Sequence, residues 1–105
     1  PDRAASERVQ TDFPKLGSLT FEAPDPERFP ALTLARRAGE VGGTLPAVLN
    51  AANEIAVEAF VNRKISFLQI TEAVSRTMAA HQVLAHPTLE QILAADVWAR
   101  GEAAR

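Results

Sequence analysis

The segment 45–62 constrains the fold more than any other part of the sequence, because its apolar residues recur at helical spacing. They form the stripe of a core-facing helix: Val48, Leu49, Ala52, Ile55, Ala56, Ala59 and Phe60. A second stripe, which contains Asn50 and Val57, lies beside the first, and only a narrow edge that includes Glu54 is clearly solvated. The pattern therefore predicts that this helix is the central one of its fold.

A first helix is predicted on the N-terminal side of this segment, over about 30–40. Pro30 suits the first turn of a helix, because the N–H that proline lacks has no partner there in any case. Gly42 and Gly43 end this helix in the usual C-terminal manner, and Pro46 opens the next one.

Two capping boxes predict the helices that follow. Ser-Phe-Leu-Gln at 66–69 begins a helix that runs to about His81, and Thr-Leu-Glu-Gln at 88–91 begins a short fourth helix. Asp96 is expected to cap a separate last segment over 98–104. Successive helices with short connections favour antiparallel neighbours, so residues 30–105 are predicted to form a bundle of about four helices.

The first 29 residues are predicted to form an extended linker rather than part of the bundle. Residues 18–22 alternate in polarity, with Leu19 and Phe21 on one face, and predict one β-strand. A lone strand leaves its backbone N–H and C=O groups unpaired unless another sheet edge accepts them. A partner is therefore expected, either a second copy of the chain or a preceding domain. The fold class is mainly α.

Composition excludes several classes of protein. The formal net charge is -2 with both signs mixed along the chain, which favours neither nucleic acid nor an anionic membrane as a partner. With no Cys, disulfides and thiolate metal sites are impossible, and a cytoplasmic location is expected. The chain begins at Pro1 and its only Met is Met78, so either it is a piece of a longer protein or an initiator Met has been removed.

A search for chemistry gives no catalytic, metal or cofactor residue. His81 and His86 lack further ligands at a suitable spacing, so surface or helix-end histidines are the favoured interpretation. Glu54 and Glu58 share a helix face but lack the Glu-x-x-His partners of carboxylate-metal bundles. The Gly-Gly-Thr turn at 42–44 lacks the Gly-Lys-Ser/Thr of a phosphate loop, and a plain connection between helices is preferred. The segment alone is expected to be inactive.

The most distinctive polar feature is a pair of asparagines, Asn50 and Asn53, inside the apolar 45–62 helix. Asparagine lowers helix propensity, and a buried amide needs hydrogen-bond partners. We expect both amides to bond to the backbone of the linker or of a neighbouring domain, and the alternative is that they are simply exposed. On the first hypothesis, Asn53→Leu destabilises the docked assembly by about 1–3 kcal/mol.

Four stretches of the sequence closely resemble the C-terminal end of the 1-deoxy-D-xylulose 5-phosphate reductoisomerase family. They are Leu-Thr-Phe-Glu-Ala-Pro-Asp at 19–25, Arg-Phe-Pro-Ala-Leu at 28–32, Val-Leu-Asn-Ala-Ala-Asn-Glu-Ile-Ala-Val at 48–57 and Ile-Ser-Phe-Leu-Gln-Ile at 65–70. The resemblance covers essentially the whole chain in the family's order and spacing.

This resemblance implies a parent enzyme that rearranges 1-deoxy-D-xylulose 5-phosphate and reduces the intermediate with NADPH and Mg or Mn. The product is 2-C-methyl-D-erythritol 4-phosphate, in non-mevalonate isoprenoid biosynthesis. The family has a dinucleotide-binding domain, a catalytic domain, a linker and a C-terminal helical bundle, and acts as a cytoplasmic homodimer. Its cofactor, metal and substrate residues all precede the segment matched here. The implied role is structural docking to the remainder of the enzyme, with Leu19, Phe21, Asn50, Asn53 and Glu54 as candidate docking residues.

Two other classes stay open on the sequence alone. A free-standing helical adaptor would be a well-covered monomer with one groove for a partner protein. A small carboxylate-metal bundle would depend on metal for its stability.

Overall fold

The computed structural model describes residues 10–105, and helices form most of this range. They are α1 (Phe13–Leu16), α2 (Ala31–Val41), α3 (Leu45–Val61), α4 (Phe67–Ala80) and α5 (Leu89–Ala103). The predicted mainly α fold with a helical bundle is confirmed. Residues 1–9, the start of the predicted linker, lie outside the described residues.

The central position predicted for the 45–62 helix is confirmed, because α3 packs against α2, α4 and α5. Val48 and Ala52 on its apolar stripe are fully buried. Val74 and Met78 of α4 join the same core cluster, and Ala38 extends it to α2. The core is therefore centred on the covered side of α3 rather than lying between two equal layers.

Small side chains dominate the packing between α3 and α5. Ala51 and Ala52 of α3 share one buried cluster with Ala95, Ala99 and Ala103 of α5. Because alanine extends only one carbon from the backbone, the two helices approach closely and leave little room for a larger residue.

The helix ends follow the predicted capping signals. In the box that begins α4, the backbone N–H of Ser66 donates to Gln69 Oε1 at 2.6 Å. In the box that begins α5, Thr88 N donates to Gln91 Oε1 at 2.9 Å and Gln91 N donates back to Thr88 Oγ1 at 3.2 Å. Gly42 follows the end of α2 at φ 68°, and its N–H donates to Ala38 O at 2.9 Å.

The prediction of a short fourth helix and a separate segment capped by Asp96 is wrong, since α5 is continuous over Leu89–Ala103. Asp96 lies inside the helix, where its Oδ2 accepts from Arg100 Nε at 2.6 Å. No proline interrupts this stretch, and an acid–base pair four residues apart supports a helix rather than ending it.

The predicted strand at 18–22 is not formed, and the described residues contain no strand. Leu19 and Phe21 lie in irregular chain, 68% and 86% exposed respectively. The physical reason is that an isolated strand has no ladder to satisfy its backbone groups. The one-turn helix α1, which we did not predict, precedes this segment and is followed by Gly17, which has φ 66°. Within residues 10–105, none of the helices has the length and apolar character needed to cross a membrane.

Candidate functional site

The side of α3 that no neighbouring helix covers carries the predicted asparagines. We define the α3 outer face as Asn50, Asn53, Val57 and Val61, whose spacing of three and four residues places them on one side of a helix. All four are exposed, and Val61 is 70% accessible. A mixed apolar and amide surface on the central helix is a candidate interface.

The asparagine amides do not contact the described part of the linker. Asn50 Nδ2 donates to Glu54 Oε1 at 2.9 Å on the same helix, and Asn53 makes no side-chain hydrogen bond within residues 10–105. Asn53 therefore makes no hydrogen bond to residues 10–29 of the linker, and its contact with a neighbouring domain stays a prediction. The structure brings Asn50 and Glu54 together.

Glu54 belongs to an ionic network that links α3 to α5. Arg100 Nη2 lies 2.7 Å from Glu54 Oε2, and Arg100 Nε lies 2.6 Å from Asp96 Oδ2. Hydrogen bonds from Arg100 and then from Asn50 hold the pKa of Glu54 below its usual value, and those to Asp96 and Glu54 raise the pKa of Arg100. The network keeps Glu54 ionised and fixes one edge of the α3 outer face.

Arg100 is the residue of this network that sequence reasoning missed. The local signal was present, because Asp96 and Arg100 stand four residues apart in a helical segment. The pairing of Arg100 with Glu54 is a tertiary contact that no spacing rule predicts, because it depends on how α5 lies against α3.

Further apolar side chains are exposed outside the α3 outer face. Leu89, Leu93 and Val97 recur every four residues on one side of α5, and each is exposed. Phe67 and Leu68 at the start of α4 are also exposed. The row on α5 is a further candidate contact surface, whereas Phe67 and Leu68 stand apart from it on α4.

The two histidines lie where a helix-end and a surface residue are expected, although His81 is partly covered by neighbouring side chains. His81 is half-buried at the end of α4, with Nε2 2.7 Å from Thr44 Oγ1 and its ring 5.1 Å from that of Trp98. His86 is exposed. Among residues 10–105, no group of three or more His, Asp and Glu residues is arranged to hold a metal ion.

The Gly-Gly-Thr turn at 42–44 serves the connection between helices. The backbone N–H of Thr44 donates to Leu84 O at 3.1 Å, so this donor is already engaged by the chain itself. Gly43 lies directly against the same carbonyl, where a Cβ would overlap the oxygen. The turn is a packed backbone junction.

A family model described as the DXP reductoisomerase C-terminal domain matches residues 1–102 of the chain. The chain belongs to this family. This membership agrees with the helical bundle and with the four stretches of sequence that resemble the family.

Curated relatives and a solved structure agree with this membership. The 1-deoxy-D-xylulose 5-phosphate reductoisomerase of Synechococcus sp. (strain JA-2-3B'a(2-13)) is 53% identical over 105 residues, which are 100% of this chain and 27% of that protein. The enzyme of Chlorobium phaeobacteroides is 52% identical over 100 residues, 95% of this chain and 26% of that protein. The structure of the Zymomonas mobilis enzyme in complex with NADPH has a TM-score of 0.82 and 50% identity, covering 99% of this chain and 28% of that chain. The chain thus spans about a quarter of the length of the relatives that it matches.

Proposed function

We propose that this chain acts as the C-terminal part of a complete reductoisomerase, which converts 1-deoxy-D-xylulose 5-phosphate to 2-C-methyl-D-erythritol 4-phosphate with NADPH. One observation carries the proposal: nearly all of this chain is 50–53% identical to known reductoisomerases. The matched region is about 27% of the length of those enzymes. In this role the bundle braces the catalytic domain and positions the linker, and contributes no group to the chemistry.

The α3 outer face is the surface that we assign to docking. Asn50 and Asn53 offer amide donors and acceptors beside the exposed side chains of Val57 and Val61. A neighbouring domain can pair with the amides while it covers the valines, and full burial of a valine side chain contributes roughly 1.5–3 kcal/mol. Glu54, held by Arg100, fixes the edge of this surface.

Residues 18–22 supply a second docking element in this proposal. Leu19 and Phe21 point to one face when the segment is extended, and both are largely exposed in the chain alone. Addition of this segment to a sheet edge of the catalytic domain would pair its backbone groups and bury both side chains. The strand would then form only in the assembled enzyme.

The remaining parts of the proposal concern the whole enzyme. Residues 1–29 are assigned to the linker and 30–105 to the bundle, and α2 begins at Ala31. A divalent metal, Mg or Mn, would supply Lewis-acid chemistry in the enzyme, but the described residues do not gather a ligand set for it, and we assign it no ligand in this chain. A cytoplasmic homodimer fits a cysteine-free chain with exposed apolar surface.

Docking in trans tests this proposal. The Zymomonas mobilis enzyme shortened by the region that this chain matches is mixed with the 105-residue chain, and binding is measured by calorimetry. We expect binding that Phe21→Asp and Asn53→Asp each weaken, while Leu68→Asp, a matched change at an exposed leucine on α4, leaves it intact. Equal binding by all variants would contradict the assigned surface, and the absence of binding to the shortened enzyme would favour the free-standing adaptor.

A further inference from the structure

The connection after α4 is joined to the start of α3 through a single buried threonine. Thr44 is fully buried, its N–H donates to Leu84 O at 3.1 Å, and Leu84 N donates to Thr44 Oγ1 at 3.1 Å. The third contact is between Thr44 Oγ1 and His81 Nε2, at 2.7 Å. We call these three residues the Thr44 junction.

The proton count at the Thr44 junction depends on the charge of His81. The hydroxyl carries one proton and already accepts from Leu84 N. In a neutral imidazole whose Nε2 is unprotonated, that nitrogen accepts the hydroxyl proton and every group has a partner. In the imidazolium both ring nitrogens carry protons, so Nε2–H points at Thr44 Oγ1 and the buried hydroxyl proton loses its acceptor.

The elements packed against His81 do not offset this loss with a negative charge. The groups that face it are Thr44 ahead of α3, Leu84 in the connection and Trp98 on α5, and none of these titrates near neutral pH. Asp96 and Arg100 on α5 pair with each other. The remaining titratable group in the connection is the exposed His86. Burial lowers the pKa of His81.

We propose that the Thr44 junction is a pH-sensitive latch, in which neutral His81 holds residues 82–84 against the start of α3 and protonated His81 releases them. The proposal rests on this geometry alone and is independent of docking to a catalytic domain. Because the folded pKa is depressed, the stabilisation is complete above the ordinary histidine value of about 6.5 and is lost as pH falls towards the folded pKa. Acidification therefore loosens this connection before it unfolds the bundle.

Nuclear magnetic resonance on the 105-residue chain tests the latch directly. At about pH 7.5 we expect the ring nitrogen shifts of His81 to show an unprotonated Nε2. As the pH is lowered through the His81 titration, the hydrogen-exchange rate of the Leu84 amide, corrected for its intrinsic pH dependence, should rise. The expected rise is about tenfold for each unit by which the folded chain lowers the pKa of His81. Fluorescence of Trp98, the only tryptophan, gives a second record of the same titration because its ring contacts His81.

Three variants separate the latch from general acid instability. Thr44→Ser keeps the hydroxyl and should retain the coupling between His81 and the Leu84 amide, whereas Thr44→Val should abolish it. His86→Gln should leave the coupling between His81 and the Leu84 amide unchanged. The proposal would be overturned if the Leu84 amide kept the same protection while wild-type His81 titrates. A protonated Nε2 in neutral His81 would also overturn it. Both measurements need only the wild-type chain.

Discussion

Replacement of Gly43 by alanine tests how closely the α4–α5 connection approaches the start of α3. Gly43 has φ 58°, and a Cβ at this position would overlap Leu84 O and lie 3.0 Å from its carbonyl carbon. Two hydrogen bonds depend on this approach, from Thr44 N to Leu84 O and from Leu84 N to Thr44 Oγ1. The backbone of residue 84 must therefore move away, and both bonds weaken together.

The magnitude follows from three contributions to the free energy of unfolding. A left-handed backbone costs alanine about 1–2 kcal/mol, and the lower entropy of the unfolded chain returns about 0.4–1 kcal/mol. The two hydrogen bonds contribute about 0.5–1.5 kcal/mol each. We expect Gly43→Ala to lower the free energy of unfolding by about 2–4 kcal/mol.

Gly42→Ala is the matched control, because Gly42 also has a positive φ of 68° but a Cβ there meets nothing within 4 Å. At ψ -145° Gly42 lies in a region that is almost restricted to glycine, so the backbone of alanine costs about 1–3 kcal/mol there and the lower entropy of the unfolded chain returns about 0.4–1 kcal/mol. This variant should therefore lose about 1–2 kcal/mol, without the contribution of the two hydrogen bonds. Denaturant unfolding followed by circular dichroism measures both. Equal losses in the two variants would refute the close approach of Leu84 as the source of the larger effect.

The remaining predictions concern the core, the ionic network and the docking face. Val48→Ala should cost about 2 kcal/mol in denaturant unfolding because Val48 is fully buried, whereas the exposed Val61→Ala should stay within about 0.5 kcal/mol. Because the pKa of Glu54 is lowered in the folded chain, its carboxylate stabilises the fold at pH values above the usual carboxyl pKa. This stabilisation is lost as the pH falls through the pKa of Glu54 in the folded chain. Glu54→Gln should remove this part of the dependence of Tm on pH, and an unchanged pH profile in this variant would contradict the pairing. Arg100→Gln should lower Tm less at high salt than at low salt. Asn53→Leu should leave the Tm of the isolated chain nearly unchanged yet reduce binding in the trans-docking titration, and equal effects in both would argue against a docking role.

Local signals were sufficient to predict most of the helices. The capping boxes at 66–69 and 88–91 act within four residues, so they can be seen in the sequence, and both form as predicted. The apolar stripe of α3 predicted the central position of this helix, because a helix that is buried on several sides needs an almost continuous apolar surface. Asp96 misled the prediction since the same side chain that caps a helix also pairs with Arg100 inside one.

Contacts between distant residues could not be predicted. Thr44 and His81 are 37 residues apart, and their hydrogen bond depends on how α4 returns to the start of α3. The prediction of a strand at 18–22 was wrong for a different reason, because a strand needs a pairing partner that residues 10–105 do not supply. The asparagine pair was found from its position inside an apolar helix, while the exposure of Asn50 and Asn53 could be learned only from the packing of α3.

The most direct test of the account is the activity of a chimera in which this chain replaces the matching C-terminal region of the Zymomonas mobilis enzyme. NADPH oxidation is measured with 1-deoxy-D-xylulose 5-phosphate and Mn, and circular dichroism and sedimentation verify that the chimera is folded. The account predicts turnover by the chimera, its loss when the region is deleted, and a reduction by Phe21→Asp but not by Leu68→Asp. A folded chimera without turnover, or one whose deletion form is equally active, would contradict a role for this domain in supporting the catalytic site.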